Sequence, residues 1–427
     1  MNSLSTDPVR STPLWTTTAS VQFAADPLAG DIDADVVVIG GGYTGLSAAY
    51  HLAKAGKSVA LLERGCIAAG ASGRNAAGWI PGWPGPGPDD VERVLGKEKG
   101  RRLNQMIADA SREFPLFVEE HRLDPEFRKS GVAMCAPSAA LAKRLHMIAD
   151  QWRRFGISID EVSPENVSAL TGTSAFSDAA IYRNAGTLNP VNYCRGMASL
   201  AVGAGAGVYE RSAVTEIARE NGFWRVRSRE GSVKARYAIA ATGAYSDDPF
   251  VKLTASQYKI PLMVFASKPA PEIANMLMTG ALPIASNHPL RLFWLMQDGA
   301  GRLVGSMLYP SNSNQSFTEL ASRFERHLKA YYPDMPLPEW DHAWSGYLDV
   351  VPGRVVQILE LAPGLLAPLG YSGSGSIAAF GLGKELAKAI GHDDLESCAV
   401  PITRPPRICA RRMIPWITRK IIAPVFG

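Results

Sequence analysis

Three glycines and one acidic residue have the types and the spacing of a phosphate-binding turn. Gly40, Gly42 and Gly45 follow an apolar, β-branched run and precede a helical pattern. That arrangement holds the pyrophosphate of a dinucleotide at a helix N-terminus. Glu63 stands 18 residues after Gly45, at the end of a strand predicted over 58–62, where a carboxylate binds the ribose hydroxyls. The pattern therefore predicts a dinucleotide site.

Later segments favour a flavin over a nicotinamide cofactor. The stretch 70–78 consists largely of small residues, which can lie flat beneath a large planar ring. A distant predicted strand ends at Thr242 and Gly243, where small residues permit close approach of a ligand. The glycine-rich turn 370–375 opens a helix predicted over 376–390, whose N-terminal dipole would stabilise the negative charge of a reduced flavin. We interpret these segments as gathered around one FAD.

Four segments, 42–49, 70–76, 241–245 and 370–375, resemble the motifs of a known family. Over roughly residues 10 to 400, in order, the chain is similar to the FAD-dependent amine and amino-acid oxidoreductases of the D-amino-acid oxidase superfamily. Within them it is most similar to the γ-glutamylputrescine oxidase-like branch. The resemblance implies an α/β fold, with a Rossmann-type FAD-binding domain interleaved with an α+β substrate domain built on an antiparallel sheet.

The residues expected to bind FAD come from all of these segments. Asn75 stands where some dimethylglycine-dehydrogenase-like relatives have a histidine bonded to the flavin, and no cysteine lies between positions 195 and 397. Non-covalent FAD is therefore expected. The expected cofactor-binding residues are Gly40, Gly42, Tyr43, Thr44, Gly45, Glu63, Arg64, Ala71, Ser72, Gly73, Arg74, Asn75, Ala76, Val214, Thr242, Gly243, Gly370, Tyr371, Ser372, Gly373, Ser374, Gly375 and Ser376.

The resemblance implies oxidation of a carbon that bears an amine nitrogen. Hydride passes to flavin N5, water hydrolyses the imine, and O2 accepts the electrons to give H2O2. Arg74, Tyr371 and Lys268 are the candidate catalytic residues. Arg74 would bind the flavin or a substrate carboxylate, with a phosphate or backbone ion pair as the alternative. Lys268 would assist the reaction with oxygen, as a lysine does in sarcosine oxidase-like relatives, with a surface charge as the alternative. The resemblance also places the Asp349 turn near the flavin.

Aromatic side chains are the candidates for substrate binding, because a cation–π contact of about 0.5–2 kcal/mol suits an ammonium group. Core packing is the alternative for each of them. The predicted strand 293–296 lacks the arginine that many members of the branch carry there, which predicts a hydrophobic or aromatic amine rather than γ-glutamylputrescine. The expected substrate-binding residues are Trp79, Phe265, Phe293, Trp294 and Trp344.

Composition narrows the classes of function. The chain of 427 residues has a net charge of +4, too small to indicate nucleic-acid binding, and no run of apolar residues long enough to span a membrane. Five cysteines and seven histidines show no metal-ligand spacing. We expect a cytoplasmic enzyme with a small-molecule amine or amino-acid substrate, O2 as acceptor and no metal; the oligomeric state stays open. The rivals are a dehydrogenase that uses an electron-transfer partner and a flavin-binding assembly or sensor protein without turnover.

The predicted domains alternate along the chain, with the active site where they meet. Residues 1–32 are predicted to be an irregular arm and 401–427 a C-terminal tail. The basic segment 404–420 of that tail would pack as a helix or at an oligomer interface or, alternatively, contact acidic lipid. A single strand is expected over 208–217. The FAD-binding domain is predicted to comprise 33–90, 186–247 and 340–400, and the substrate domain 91–185 and 248–339.

Overall fold

The computed structural model describes residues 12–247, 249–279, 282–286, 288, 293–308 and 315–405. They form two large β-sheets, a two-stranded ribbon and the helices that pack on them. The helices are α1 (Leu14–Thr18), α2 (Tyr43–Lys54), α3 (Pro88–Leu95), α4 (Lys97–Glu120), α5 (Ala139–Arg153), α6 (Pro164–Thr171), α7 (Pro190–Gly203), α8 (Val251–Thr254), α9 (Pro271–Leu277), α10 (Phe317–Lys329) and α11 (Gly375–Gly391). The strands are β1 (Gly30–Ile39), β2 (Val59–Leu62), β3 (Gly78–Trp79), β4 (Val132–Ala136), β5 (Ile159–Val162), β6 (Asp178–Tyr182), β7 (Gly186–Thr187), β8 (Gly207–Tyr209), β9 (Glu216–Glu220), β10 (Phe223–Arg227), β11 (Gly231–Ala240), β12 (Tyr258–Ser267), β13 (Ile284–Ser286), β14 (Trp294–Gln297), β15 (Leu303–Leu308), β16 (Trp340–Val350), β17 (Gln357–Ala362), β18 (Leu365–Leu369) and β19 (Ile402–Thr403).

The first sheet carries the glycine turn. Its strands run in the order β19, β17, β18, β11, β1, β2, β8, and β10 and β9 continue from β11 as a meander. β1 pairs in parallel with β11 and with β2, so the carboxyl ends of these strands meet at one edge. Alternate side chains of β1 enter different cores, since Val36 and Val38 pack with the helices and Val37 and Ile39 pack with Trp224. Burial on both faces explains the uninterrupted apolar run.

The second sheet is mainly antiparallel, in the order β16, β12, β15, β14, β13, β4, β6, β5. One of its faces is covered by α10, where Phe265 stacks on Phe324 with ring centroids 4.5 Å apart. Leu262 and Val264 of the same strand point to the opposite face, because side chains alternate along a strand. That opposite face lies toward the first sheet and contributes to the cavity described below.

Two predicted boundaries differ from the structure. Residues 340–350, expected in the FAD-binding domain, form β16 and pair along the whole of β12 in the second sheet, so the chain returns to the first sheet only at β17. The single strand expected over 208–217 is two strands, β8 and β9. The chain turns between them because Arg211 has a φ of +51°, which a strand does not accommodate.

The predicted arm and the predicted C-terminal tail both contain regular secondary structure. Within the predicted arm, residues 14–18 form α1 and residues 30–32 already belong to β1, while 1–11 lie outside the described residues. Past position 400, β19 pairs in parallel with β17, and residues 406–427 of the basic tail lie outside the described part. No described helix combines the length and the apolar character needed to cross a membrane. Nor do the described residues contain a cluster of His, Cys, Asp and Glu suited to a metal ion.

Candidate active site

A cavity of about 1200 Å³ opens between the two sheets. One end of it is lined by backbone from the glycine turn after β1, from segment 70–76 and from the turn before α11. The other end is lined by side chains of α5, β12, β14 and the Pro/Gly loop 80–86. The cavity therefore joins a polar, glycine-lined cradle to a largely apolar chamber.

The cradle at α2 depends on glycines at two positions. Gly40 has a φ of +112°, and a Cβ there would lie 2.6 Å from the carbonyl oxygen of Ala241. A Cβ at Gly45 would lie 2.0 Å from the carbonyl oxygen of Gly40, so only glycine lets the helix approach the turn. The Tyr43 N–H donates to Ser72 Oγ at 2.9 Å, while no side chain caps the amides of Thr44 and Gly45. These free N–H groups and the helix dipole make an anion site.

Glu63 lies beside this cradle and is fixed by backbone amides. Gly41 N–H donates to Oε2 at 2.7 Å and Gly65 N–H donates to Oε1 at 2.9 Å. Only 7% of the side chain is exposed, and this burial raises the pKa of the carboxyl group although the two amides oppose the shift. Each oxygen retains a lone pair, so the carboxylate can still accept hydrogen bonds from two vicinal hydroxyls in the cavity.

Segment 70–76 is held in place by hydrogen bonds to its backbone. The Asn75 side chain donates to Ser72 O at 2.7 Å and accepts from the Ala77 N–H at 2.8 Å, which fixes the turn. The indole N–H of Trp344 donates to Arg74 O at 3.0 Å, and that of Trp15 donates to Asn75 O at 2.8 Å. The two tryptophans therefore orient the carbonyls of this segment from distant parts of the chain.

The Arg74 side chain spans from this segment to the second sheet. Its Nε donates to Ala69 O at 3.2 Å and one terminal nitrogen donates to Ser345 O on β16 at 3.1 Å. Arg74 also lines the cavity. A contact to the flavin or to a substrate carboxylate therefore stays a prediction, compatible with this position.

Substitution of Trp344 tests whether this orientation matters for the cofactor. We expect Trp344→Phe to lower the affinity for FAD by about five- to tenfold, because the lost hydrogen bond leaves Arg74 O without a buried donor, at a cost of about 1 kcal/mol. The measurement is titration of the FAD-free protein with FAD, followed by flavin fluorescence. Trp340→Phe on the same strand is the control, since the buried Trp340 indole nitrogen has no hydrogen-bond partner among the described residues. Equal affinities in the two variants would contradict the assignment.

Non-covalent binding is a separate expectation. Asn75, the residue that stands where such relatives have a linking histidine, forms its hydrogen bonds within the turn itself. Cys194 is fully buried, and burial raises the pKa of its thiol. Acid precipitation should release all of the yellow colour into the supernatant. Colour that remains with the pellet, or a peptide whose mass is increased by FAD, would contradict the expectation.

The turn before α11 is anchored by Asp349. Its Oδ2 accepts from the N–H groups of Gly370 at 2.7 Å and Tyr371 at 3.4 Å, and its carbonyl accepts from Ser372 N–H at 3.0 Å. Burial raises the pKa of the Asp349 carboxyl group to about 7, opposed by these amides. The Tyr371 hydroxyl lies 2.5 Å from Thr44 Oγ1, and so ties this turn to the first turn of α2.

Helix α11 brings a second uncapped N-terminus to the cavity. Ser374 precedes it without a side-chain cap, so the first-turn amides are available to an acceptor. The helix is positioned by α2, because Ser47 Oγ donates to Phe380 O at 2.8 Å and a Cβ at Gly383 would lie 2.5 Å from Ser47 Cβ. The close packing of α2 and α11 therefore sets the separation of the two N-termini.

Seven predicted residues do not line the cavity, and for four of them the structure corrects the predicted role. Trp79 is fully buried and stacks on Phe114 at 3.5 Å. Phe265 faces α10 rather than the cavity. Trp344 is buried with its N–H committed to Arg74 O. Lys268 lies at the surface, about half exposed, in an ion pair of 2.6 Å with Glu339. This position does not support the predicted role of Lys268 in the reaction with oxygen.

The other predicted residues lie in or directly behind the cavity wall. Gly45, Gly73 and Gly370 belong to the turns that form this wall but do not line the cavity themselves. Phe293 and Trp294 line the chamber end. The predicted cofactor residues that line the cavity are Gly40, Gly42, Tyr43, Thr44, Glu63, Arg64, Ala71, Ser72, Arg74, Asn75, Ala76, Val214, Thr242, Gly243, Tyr371, Ser372, Gly373, Ser374, Gly375 and Ser376.

Several chamber residues were missed from the sequence. Leu141, Leu145, Ile148 and Trp152 face the chamber from α5, and their helical spacing was the available signal. Trp83 in the Pro/Gly loop also lines it and donates its N–H to Asn104 Oδ1 of α4 at 2.8 Å. The anchored loop forms one wall of the chamber.

The cradle fits FAD on its own geometry. Two uncapped helix N-termini, glycines whose Cβ atoms would collide with their surroundings, and a buried carboxylate with open lone pairs supply sites for a pyrophosphate, a ring carbonyl and a ribose.

Comparison with known proteins agrees with this fit. The family model described as "DAO: FAD dependent oxidoreductase" matches residues 35–389. Similar proteins include a probable oxidoreductase OrdL of Rhizobium meliloti (strain 1021), 30% identical over 387 residues that cover 87% of both chains. γ-Glutamylputrescine oxidoreductase of Escherichia coli (strain K12) is 27% identical over 373 residues that cover 86% of both chains.

A solved structure shares the fold. L-proline dehydrogenase from P. horikoshii aligns with a TM-score of 0.71 at 18% identity, over 86% of this chain and 95% of that one. The fold class, the cofactor and the family predicted from the sequence are thereby confirmed, and the protein belongs to the DAO family of FAD-dependent oxidoreductases.

Proposed function

We propose that this protein oxidises the C–N bond of an amine or amino acid and passes the electrons to O2, forming H2O2. The observation that carries the proposal is the continuity of the cavity, which runs from the FAD cradle into an apolar chamber without a wall between them. Bound FAD supplies the acceptor for a hydride from the carbon beside nitrogen. The protein must then present that carbon, exclude water and favour the reactive form of the amine.

Side chains at the junction of cradle and chamber are suited to presenting the substrate. The Trp294 ring lies against Gly78, where a Cβ would be 3.1 Å from the edge of the indole. Leu262 and Leu308 lie on neighbouring strands and also line the cavity. These apolar groups exclude water from the place where the cradle meets the chamber, which strengthens electrostatic interactions there.

The charges of the lining favour the neutral amine. Its carboxylates already have partners, since Glu63 and Asp349 accept from backbone amides, Asp90 pairs with Arg93, and Asp247 pairs with Arg64 at 3.0 Å. Glu63 keeps its remaining lone pairs at the ribose site, and no other carboxylate in the described lining is left without a partner to hold an ammonium ion. A neutral amine is the form whose nitrogen lone pair assists the departure of hydride from the adjacent carbon.

The names of two relatives support the substrate class. γ-Glutamylputrescine oxidoreductase is named for an amine, and glycine oxidase of Bacillus licheniformis, 27% identical over 73% of this chain, is named for an amino acid. The choice of O2 as acceptor rests on the resemblance described above.

Oxygen uptake separates the proposal from its rivals. The holoprotein is mixed in air with a panel of primary, N-methylated and cyclic amines and amino acids, and O2 consumption and H2O2 formation are followed together. The proposal predicts equal consumption and formation with at least one amine. Turnover only with an added dye acceptor would identify a dehydrogenase. Absence of turnover with every amine and both acceptors would contradict the proposal and favour an assembly or sensor protein.

A further inference from the structure

Two exposed arginines line the cavity where the chamber opens to solvent, which we call its mouth. Neither arginine belongs to the FAD cradle. We propose that Arg144 and Arg354 bind an anionic group at the end of the substrate remote from the reacting carbon. The inference rests on the proposed function and adds a substrate class to it, namely amines with an apolar middle and a terminal carboxylate.

Arg144 belongs to the face of α5 that lines the chamber. Leu141, Leu145, Ile148 and Trp152 lie on the same face at helical spacing, and all of them line the cavity. One terminal nitrogen of Arg144 donates to Gly85 O in the Pro/Gly loop at 2.7 Å. The guanidinium is thereby held at the mouth with its remaining N–H groups available.

Arg354 reaches the same loop from the opposite element. It lies in the turn after β16, with its N–H donating to Val351 O at 3.1 Å and a φ of +53°. A Cβ at Gly85 would lie 3.6 Å from a terminal nitrogen of Arg354. Both guanidinium groups therefore flank Gly85, although they come from positions far apart in the chain.

Neither charge is neutralised within the described part of the protein. Arg144 and Arg354 form no ion pair there, and Asp90, the carboxylate of the lining on this side, is held by Arg93 and by the Gly87 N–H at 3.0 Å. A planar guanidinium recognises a carboxylate through paired N–H donors. Two such groups beside one loop favour an anionic ligand.

A further donor lies at the same loop as the two arginines. Trp152 is 1% exposed and lines the cavity, and its indole ring carries one N–H donor. A Cβ at Gly82 would lie 3.5 Å from that nitrogen, so the N–H stands at the same loop. It can donate to an acceptor that enters the chamber behind the arginines.

This arrangement reverses the expectation of an uncharged substrate end. That expectation came from the missing arginine on β14, and the strand indeed presents Trp294 and Met296 instead. The cationic partner is supplied by α5 and by the turn after β16. A carboxylate therefore need not enter the apolar part of the chamber, where its desolvation would be costly.

The test measures binding without turnover. Straight-chain alkanoates of graded length and their neutral alkanamides are titrated into the holoprotein by calorimetry. The wild type should bind the best alkanoate at least tenfold more tightly than its amide at low salt, with a preference that shrinks as salt is added. The double variant R144Q/R354Q should lose about tenfold in alkanoate affinity and keep its amide affinity.

Lys143→Gln provides the matched control, because Lys143 precedes Arg144 on α5, is exposed and does not line the cavity. Retention of tight alkanoate binding by the double variant, or an equal loss in the control, would overturn the inference. So would a wild type that binds amide and acid equally. A failure of the proposed function is distinguishable, since it concerns turnover of amines, whereas these ligands contain no amine.

Discussion

Gly42→Val should yield a folded protein that lacks FAD. A Cβ at Gly42 would lie 2.8 Å from Ser72 Oγ, and this small side chain can rotate away once its bond from Tyr43 N–H is lost. The fold therefore tolerates the substitution. The added methyl groups instead occupy the space where the pyrophosphate approaches α2, and we expect the affinity for FAD to fall by at least about 100-fold, or about 3 kcal/mol.

The measurement is the ratio of flavin to protein absorbance after purification, with circular dichroism to verify folding. Gly203→Val is the matched control, because a Cβ at Gly203 meets nothing within 4 Å. A Gly42→Val protein that purifies yellow, with full occupancy, would show that the cofactor site is misassigned.

Asp349→Asn should stabilise the protein at alkaline pH and not at acid pH. Burial raises the carboxyl pKa from 3.8 to about 7 in the folded state, so the folded protein retains a proton that the unfolded chain has lost. Stability contributed by this group is full below pH 4 and is lost as pH rises to about 7. A shift of about three units corresponds to about 4 kcal/mol.

Asparagine keeps an oxygen acceptor for the amides of Gly370 and Tyr371 but does not ionise. We expect the variant to melt about 5 °C above the wild type at pH 8, with little difference at about pH 4 and an intermediate difference at about pH 5. Thermal unfolding of both proteins at a series of pH values is the measurement, and groups common to both cancel in the difference. A constant difference across the series would exclude a buried, titrating Asp349.

Local chemistry explains which site residues the sequence could predict. The turn at Gly40 needs a positive φ, and the contacts that exclude a Cβ at Gly45 come from the same turn. Glu63 follows a strand whose end the apolar pattern already marks. These constraints act within about 25 residues and leave a signature in residue type and spacing.

Long-range contacts explain what could not be predicted. Trp344 and Trp15 were indistinguishable from other aromatic residues, because their partners Arg74 and Asn75 stand 270 and 60 positions away. The strand that carries Phe265 was predicted from the sequence. The packing of α10, however, decides which face of that strand points away from the cavity. Lys268 pairs with Glu339 at the surface, and a basic residue beside a strand carries no sign of such a partner.

The charges that line the chamber could not be predicted from the sequence for the same reason. The missing arginine on β14 was visible in the sequence, whereas the approach of Arg144 and Arg354 to one loop depends on how α5 and the turn after β16 are placed. A single strand therefore could not indicate all of the charges that line the cavity.

Anaerobic reduction of the bound flavin is a direct test of whether the protein oxidises amines. The holoprotein is mixed without oxygen with the panel of amines and amino acids, and absorbance at about 450 nm is followed. Amine oxidation by the bound flavin predicts that at least one amine bleaches the flavin completely and yields one carbonyl product for each FAD. A flavin that dithionite reduces but no amine bleaches would contradict it.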